Sequence, residues 1–346
     1  MPPTIGAPSF AVVPGTQVER VLRGRHREVV RLIEETYRLH GAGDTVNPPS
    51  YFLRFPDRPS SRIIALPASV RGPAPTDGIK WISSFPENVA QGLPRASAVL
   101  ILNDPATGYP LACLESSIIS AVRTAASAAL AADRLSAGRG RPRRIGFIGL
   151  GLIARYIHEY LAGTGWEFEE IGLYDLSTEH AAGFADHLHR SGAADSAKVE
   201  IKATPEALIR DSDLVVFATV AGVPHVTEPR WFDHNPLVLH VSLRDLAPEV
   251  VLSGLNVVDD VEHCLKADTS VHLAEQRTGS RQFVDGTLYD VLTGRLEIPA
   301  GVPVFFSPFG LGVLDLAVGR HVLDTLRGTG DLAVVDGFFH ELRRYG

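Results

Sequence analysis

The chain has 346 residues, 45% hydrophobic and 21% charged, with a formal net charge of −7. That length exceeds one ordinary core and suits two domains of soluble globular composition. The negative charge and the absence of any Lys/Arg run argue against a nucleic-acid partner, and no apolar run is long enough to cross a membrane.

Residues 1–15 are rich in proline and small residues and read as a loose arm without a signal-peptide pattern, so a cytoplasmic protein is expected. Residues 19–39 carry apolar side chains at helical spacing and end near Gly41. Short runs at 62–67 and 78–83 read as strands, and 98–103 and 111–115 as a hairpin closed by Asp104-Pro105-Ala106-Thr107-Gly108. Residues 116–135 form an alanine-rich helical stretch, and 136–143 a polar connector. From 143 to about 300, strand and helix patterns alternate, with apolar runs at 214–219, 237–242 and 256–259 of the kind that parallel strands covered on both faces require. The tail returns to a helical period. The expected fold class is α/β, a doubly wound parallel sheet plus an α+β domain: residues 1–125 completed by 305–346, and 126–304 for the nucleotide.

Residues 143–148 run as a strand into Gly149-Leu150-Gly151-Leu152-Ile153-Ala154, followed by a helix. Gly149 suits the tight turn, and Gly151 allows close approach of a pyrophosphate to the N–H groups of Leu152 and Ile153 at the helix start. Asp175 ends the next strand, where a carboxylate bonds both ribose hydroxyls and repels a 2′-phosphate, and Leu176-Ser177-Thr178 brings no arginine. The cofactor expected is NAD. Cys113 and Cys264 fit no CxxC or Cys/His pattern and read as reduced thiols. The thirteen histidines include no HExxH spacing, so no metal is expected and no histidine is given a catalytic role.

Lys80 lies in a strand where its side chain opposes Ile79 and Trp81; it is either a solvent-facing lysine or a ligand for an anion. Arg123 lies in an apolar helix and needs an anion, either a protein carboxylate or a substrate. Arg54 and Arg62 are weaker candidates for the same work. Asp245 follows the strand at 237–242, at the carboxyl edge where ligands bind in such sheets; it is either a turn cap or an acid/base group.

Five separated motifs in order give the chain a wider likeness: Gly78-Ile79-Lys80; Glu115-Ser116 to Arg123-Thr124-Ala125-Ala126; Gly149-x-Gly151; Asp245; and Ser307-Pro308-Phe309-Gly310 with Asp315. It resembles the ornithine cyclodeaminase/μ-crystallin family over nearly its whole length. Within that family it is most similar to the branch that releases L-2,3-diaminopropionate for siderophores or peptide antibiotics. The resemblance implies oxidative cleavage of N-(2-amino-2-carboxyethyl)-L-glutamate, with Lys80 and Arg123 on the substrate carboxylate, Arg54 or Arg62 assisting, and Asp245 as acid/base beside the nicotinamide. It also implies cofactor contacts at Thr124, Thr219, Val220, Ser242 and Gly310, and a homodimer. The implied pathway partner is a pyridoxal-phosphate synthase joining O-phosphoserine to glutamate. Ornithine cyclodeamination, another amino-acid dehydrogenase or ketimine reductase activity, and ligand binding without turnover are the alternatives. Ala154 at the third glycine position and Leu66 where relatives often carry methionine are departures.

Overall fold

A computed structural model of the chain describes residues 8–192 and 196–340. It forms two compact units, Met1–Arg123 with Leu311–Gly346, and Thr124–Gly310, so the division falls inside the helix Ser117–Leu135.

The first unit is built on seven strands plus the short strand Val334–Val335. They are β1 (Phe10–Val13), β2 (Thr45–Val46), β3 (Tyr51–Phe55), β4 (Arg58–Val70), β5 (Thr76–Ser84), β6 (Ala96–Asn103) and β7 (Pro110–Glu115). The path runs from 334–335 through β1, β7, β6, β5 and β4 to β2, with β3 also on β4. Every pairing is antiparallel except β1 with β7. The β6–β7 hairpin is closed as its residues suggest: Asp104 Oδ1 accepts the amides of Ala106 at 3.1 Å and Thr107 at 2.8 Å. The apolar side of the helix Gly312–Thr329 packs on β4, β5 and β6 and on the helix His26–Gly41.

Two expectations change here. Residues 1–7 of the expected arm lie outside the described residues, but 10–13 are a strand, because Phe10, Ala11 and Val13 are buried between two pairing partners. The single helix expected over 19–39 is two, Gly15–Leu22 and His26–Gly41. Gly24, at φ +73°, breaks the helical course between them.

The second unit is an eight-stranded, wholly parallel sheet: β8 (Arg144–Ile148), β9 (Glu170–Tyr174), β10 (Lys198–Ile201), β11 (Leu214–Phe217), β12 (Leu237–His240), β13 (Leu255–Val258), β14 (Val284–Thr287) and β15 (Val304–Phe306). The order is β10-β9-β8-β11-β12-β15-β13-β14. The chain leaves β8 toward one edge and returns to β11 on its other side, which makes the carboxyl ends of β8 and β11 the switch point where such sheets take ligands. The apolar runs fill the middle: every residue of β11 and β12 is buried, on Phe305, Leu208 and Val250 among others. The parallel second unit and the mainly antiparallel first unit together match the fold class read from the sequence, a doubly wound α/β sheet plus an α+β domain.

Candidate active site

The glycine turn after β8 is fixed by sterics. Gly149 has φ +85°, and a Cβ there would stand 2.8 Å from the backbone of Ala218 and Thr219. Gly151 is the N-cap of the helix Leu152–Gly163, with no side-chain cap. A Cβ at Gly151 would meet nothing within 4 Å, so the ground before this helix is an open cradle. The first-turn N–H groups of Leu152 and Ile153 carry the positive end of the helix dipole into it. Ala154 faces the other way and is fully buried, which explains why a small residue replaces the third glycine. The cradle and its donors suit a dinucleotide pyrophosphate.

Asp175 stands beside this turn. Its Oδ2 accepts the Leu150 amide at 2.8 Å and its Oδ1 accepts the Ser177 amide at 2.9 Å. Each oxygen keeps a lone pair for a ribose hydroxyl. Ser177 is used as the cap of the helix Thr178–Arg190, and Leu176 is exposed.

Asp245 is no simple turn cap. After β12 the chain doubles back through Leu243, at φ +78°, whose carbonyl accepts the Ser270 amide at 2.7 Å. The amides of His225 and Val226 bond the Asp245 carbonyl at 3.0 and 2.9 Å, so the carboxyl group is held fully buried. Thr219 donates its hydroxyl to Oδ1, and His225 Nε2 lies 3.0 Å from the same oxygen. Ser242 donates to Oδ2, with His240 Nε2 at 3.2 Å. His240 Nδ1 reaches Ser307 Oγ at 3.2 Å. Burial alone would raise the Asp245 pKa, but bonds from His225 and His240, the His240 charge and the Ser242 hydroxyl outweigh it and hold the carboxyl well below its usual range.

Thr219, Ser242 and Ser307 follow the carboxyl ends of β11, β12 and β15. Val220, beside Thr219, is exposed. Gly310 is tied by its amide to Asp259 Oδ2 at 2.7 Å. Thr124 opens this unit within the 117–135 helix. No histidine was expected to act here, yet His225 and His240 both touch Asp245. The one usable sign was a histidine closing the apolar run of β12. Among the described residues no cluster of three His, Cys, Asp or Glu could hold a metal.

In the first unit, Lys80 is buried rather than solvent-facing. Its Nζ donates to Asp315 Oδ2 at 2.6 Å and to Ser120 Oγ at 3.3 Å. Arg123 Nε donates to Asp315 Oδ1 at 3.4 Å. Two cations thus share one buried carboxylate, leaving a net positive charge that an anion would neutralise. Burial pushes the Lys80 pKa down to about 8, partly offset by Asp315. Arg54 and Arg62, alternatives from sequence, stand directly opposite each other across β3 and β4, so both face one side of the sheet. Leu66 opposes Lys80, which places Arg62, four residues along β4, on the Lys80 side.

The model of the ornithine cyclodeaminase/mu-crystallin family matches residues 15–330. The chain is 30% identical over 307 residues to the N-((2S)-2-amino-2-carboxyethyl)-L-glutamate dehydrogenase of Staphylococcus aureus, covering 85% of this chain and 89% of the relative. Among solved structures, the Δ(1)-pyrroline-2-carboxylate reductase of Thermococcus litoralis, in complex with NADH and L-proline, shares the fold with TM-score 0.85 at 22% identity. That likeness covers 94% of this chain and 99% of the other. An archaeal alanine dehydrogenase dimer with bound NAD does so with TM-score 0.83 at 24% identity, over 95% and 100%.

Proposed function

The chain belongs to the ornithine cyclodeaminase/mu-crystallin family, and on that premise we propose that it is an NAD-dependent oxidoreductase that cleaves N-(2-amino-2-carboxyethyl)-L-glutamate to L-2,3-diaminopropionate and 2-oxoglutarate. The observation that carries this reading is the surplus of positive charge in the first unit. Lys80 and Arg123 share one carboxylate, and Arg54 and Arg62 lie on the Lys80 face. A substrate that carries several carboxylates suits a face lined with cations in this way.

The balance is simple. The glutamate Cα loses a hydride and the secondary amine loses its proton, leaving an imine; water adds to the imine carbon, and the C–N bond breaks to give the ketone of 2-oxoglutarate and the free amine. NAD, held by the Gly149–Gly151 turn and Asp175, would supply the hydride acceptor. Lys80 and Arg123 hold the carboxylate next to the reacting carbon, with Arg54 or Arg62 on another. Asp245, ionised by its surroundings, stabilises the positive charge that grows on the amine nitrogen as hydride leaves. His225, whose side chain is 37% exposed, offers Asp245 a route by which a proton reaches solvent. Thr219, Ser242, Val220, Thr124 and Gly310 line the cofactor.

Asp175→Ala is expected to weaken NAD by about 10- to 100-fold, the worth of charge-assisted hydrogen bonds, and NADP far less. Cofactor titrations by fluorescence decide it. Because the Leu150 contact serves both cofactors alike, equal losses would remove Asp175 from the ribose. A second expectation concerns pH. Lys80 is charged below about 8 and neutral above it. Affinity of the NADH-bound enzyme for 2-oxoglutarate, itself ionised throughout, should therefore fall as pH rises through 8. Loss of one charge-assisted bond corresponds to about tenfold or more. A flat profile from pH 7 to 9.5 would show that Lys80 does not hold the ligand.

The substrate arises when a pyridoxal-phosphate synthase joins O-phosphoserine to glutamate, and diaminopropionate goes on to a siderophore or peptide antibiotic. No helix among the described residues is long and apolar enough to cross a membrane, and we place the enzyme in the cytoplasm. The sheet face opposite Lys80 exposes Leu53, Trp81 and Val99, which supports pairing of two copies through the first unit. The test is a panel followed at 340 nm with NAD: the aminocarboxyethyl-glutamate, alanine and ornithine. Reduction with the first alone supports the assignment. Ornithine converted to proline without accumulating NADH would make the protein a cyclodeaminase.

A further inference from the structure

Ser84 ends β5 on the face that carries Lys80, and it lies in one cross-strand row with Arg62 and Arg54. It is buried, and its hydroxyl accepts a hydrogen bond from Arg95 Nη1 at 2.7 Å. Arg95 closes the connection from β5 to β6, where the Phe85 amide bonds its carbonyl at 2.8 Å and fixes its backbone. Its side chain is drawn to the same face as the other three cations. Among the described residues Arg95 pairs with no carboxylate; its one side-chain partner is that neutral hydroxyl. Burial lowers its pKa with nothing to offset it. A partly buried guanidinium without an anion is incomplete, since its planar fork is built for a carboxylate or phosphate.

We propose that Arg95, oriented by Ser84, takes the distal carboxylate of the glutamate arm and thereby selects diacid over monoacid substrates. This inference rests on the substrate reading above. Lys80 and Ser84 are four residues apart on one strand face, about 13 Å at the strand's rise per residue. Long side chains leaning along the strand from both ends reduce that span to the length of an amino diacid. Lys80 with Arg123 would hold the carboxylate beside the reacting carbon, and Arg95 would hold the far one.

The test measures binding of 2-oxoglutarate and of 2-oxovalerate, which replaces the distal carboxylate with a methyl group, to the NADH-bound enzyme. The wild type should prefer 2-oxoglutarate. Arg95→Gln should weaken 2-oxoglutarate by about tenfold or more and leave 2-oxovalerate unchanged. Arg95→Lys, which keeps the charge but loses the fork, should fall between them, and it carries the test if the Gln variant does not fold. A wild type indifferent to the two acids would sink the substrate reading itself. A wild-type preference that survives in the Arg95 variants, or an equal loss for both acids, would overturn the role of Arg95 alone.

Discussion

Asp245→Asn is expected to lower kcat by about 10²- to 10⁴-fold, the range for losing a positioned proton-transfer group, while NAD affinity stays within about twofold. The carboxylate is fully buried, with a hydroxyl donor and an imidazole at each oxygen: Thr219 and His225 at one, Ser242 and His240 at the other. Asparagine has nearly the same size, but its NH2 group must face one of those hydroxyl donors, and the buried negative charge is gone. The glycine turn at Gly149 and Gly151 is untouched, so the cofactor should still bind. Steady-state rates at 340 nm and a fluorescence titration with NADH check both halves. A kcat close to wild type would remove Asp245 from the chemistry. Loss of cofactor binding would make it a structural group.

Asp315→Ala is expected to cost about 3–5 kcal/mol of folding stability, the usual penalty for removing one partner of a buried ion pair. Asp315 is fully buried, and Lys80 and Arg123 are both turned onto it, with side chains only 2% and 13% exposed. Without it two like charges face each other with little water to screen them. Chemical denaturation of the variant and the wild type measures the difference. A change below 1 kcal/mol would mean that the two cations are better solvated than their burial indicates. A saturating diacid ligand should recover part of the loss, because its carboxylate supplies the missing negative charge.

The parts of this molecule that could be read from sequence are those whose physics is local. β11 and β12 are short apolar runs because both faces of a parallel strand are covered. The glycine turn needs Gly149 because a positive φ and a close backbone neighbour leave room for nothing else. What stayed hidden depends on pairing at a distance. β3 shows no alternation because neither of its faces is fully buried. Arg54 and Arg62 could not be ranked because their relation is a register between strands, which places them opposite each other. Asp315 reaches Lys80 across 235 positions. His225 sits in an irregular segment that meets Asp245 only because the chain doubles back at Leu243. In the first unit, burial also reversed one default: Lys80 is a buried charge, made tolerable by the carboxylate it shares with Arg123.

The most direct measurement uses N-(2-amino-2-carboxyethyl)-L-glutamate deuterated at the glutamate Cα, incubated with the protein and NAD and analysed by mass spectrometry. The expected outcome is one deuterium in the reduced cofactor for each molecule of 2-oxoglutarate and of L-2,3-diaminopropionate formed. Reduced cofactor without the label, or products formed with the label retained, would contradict hydride removal at that carbon.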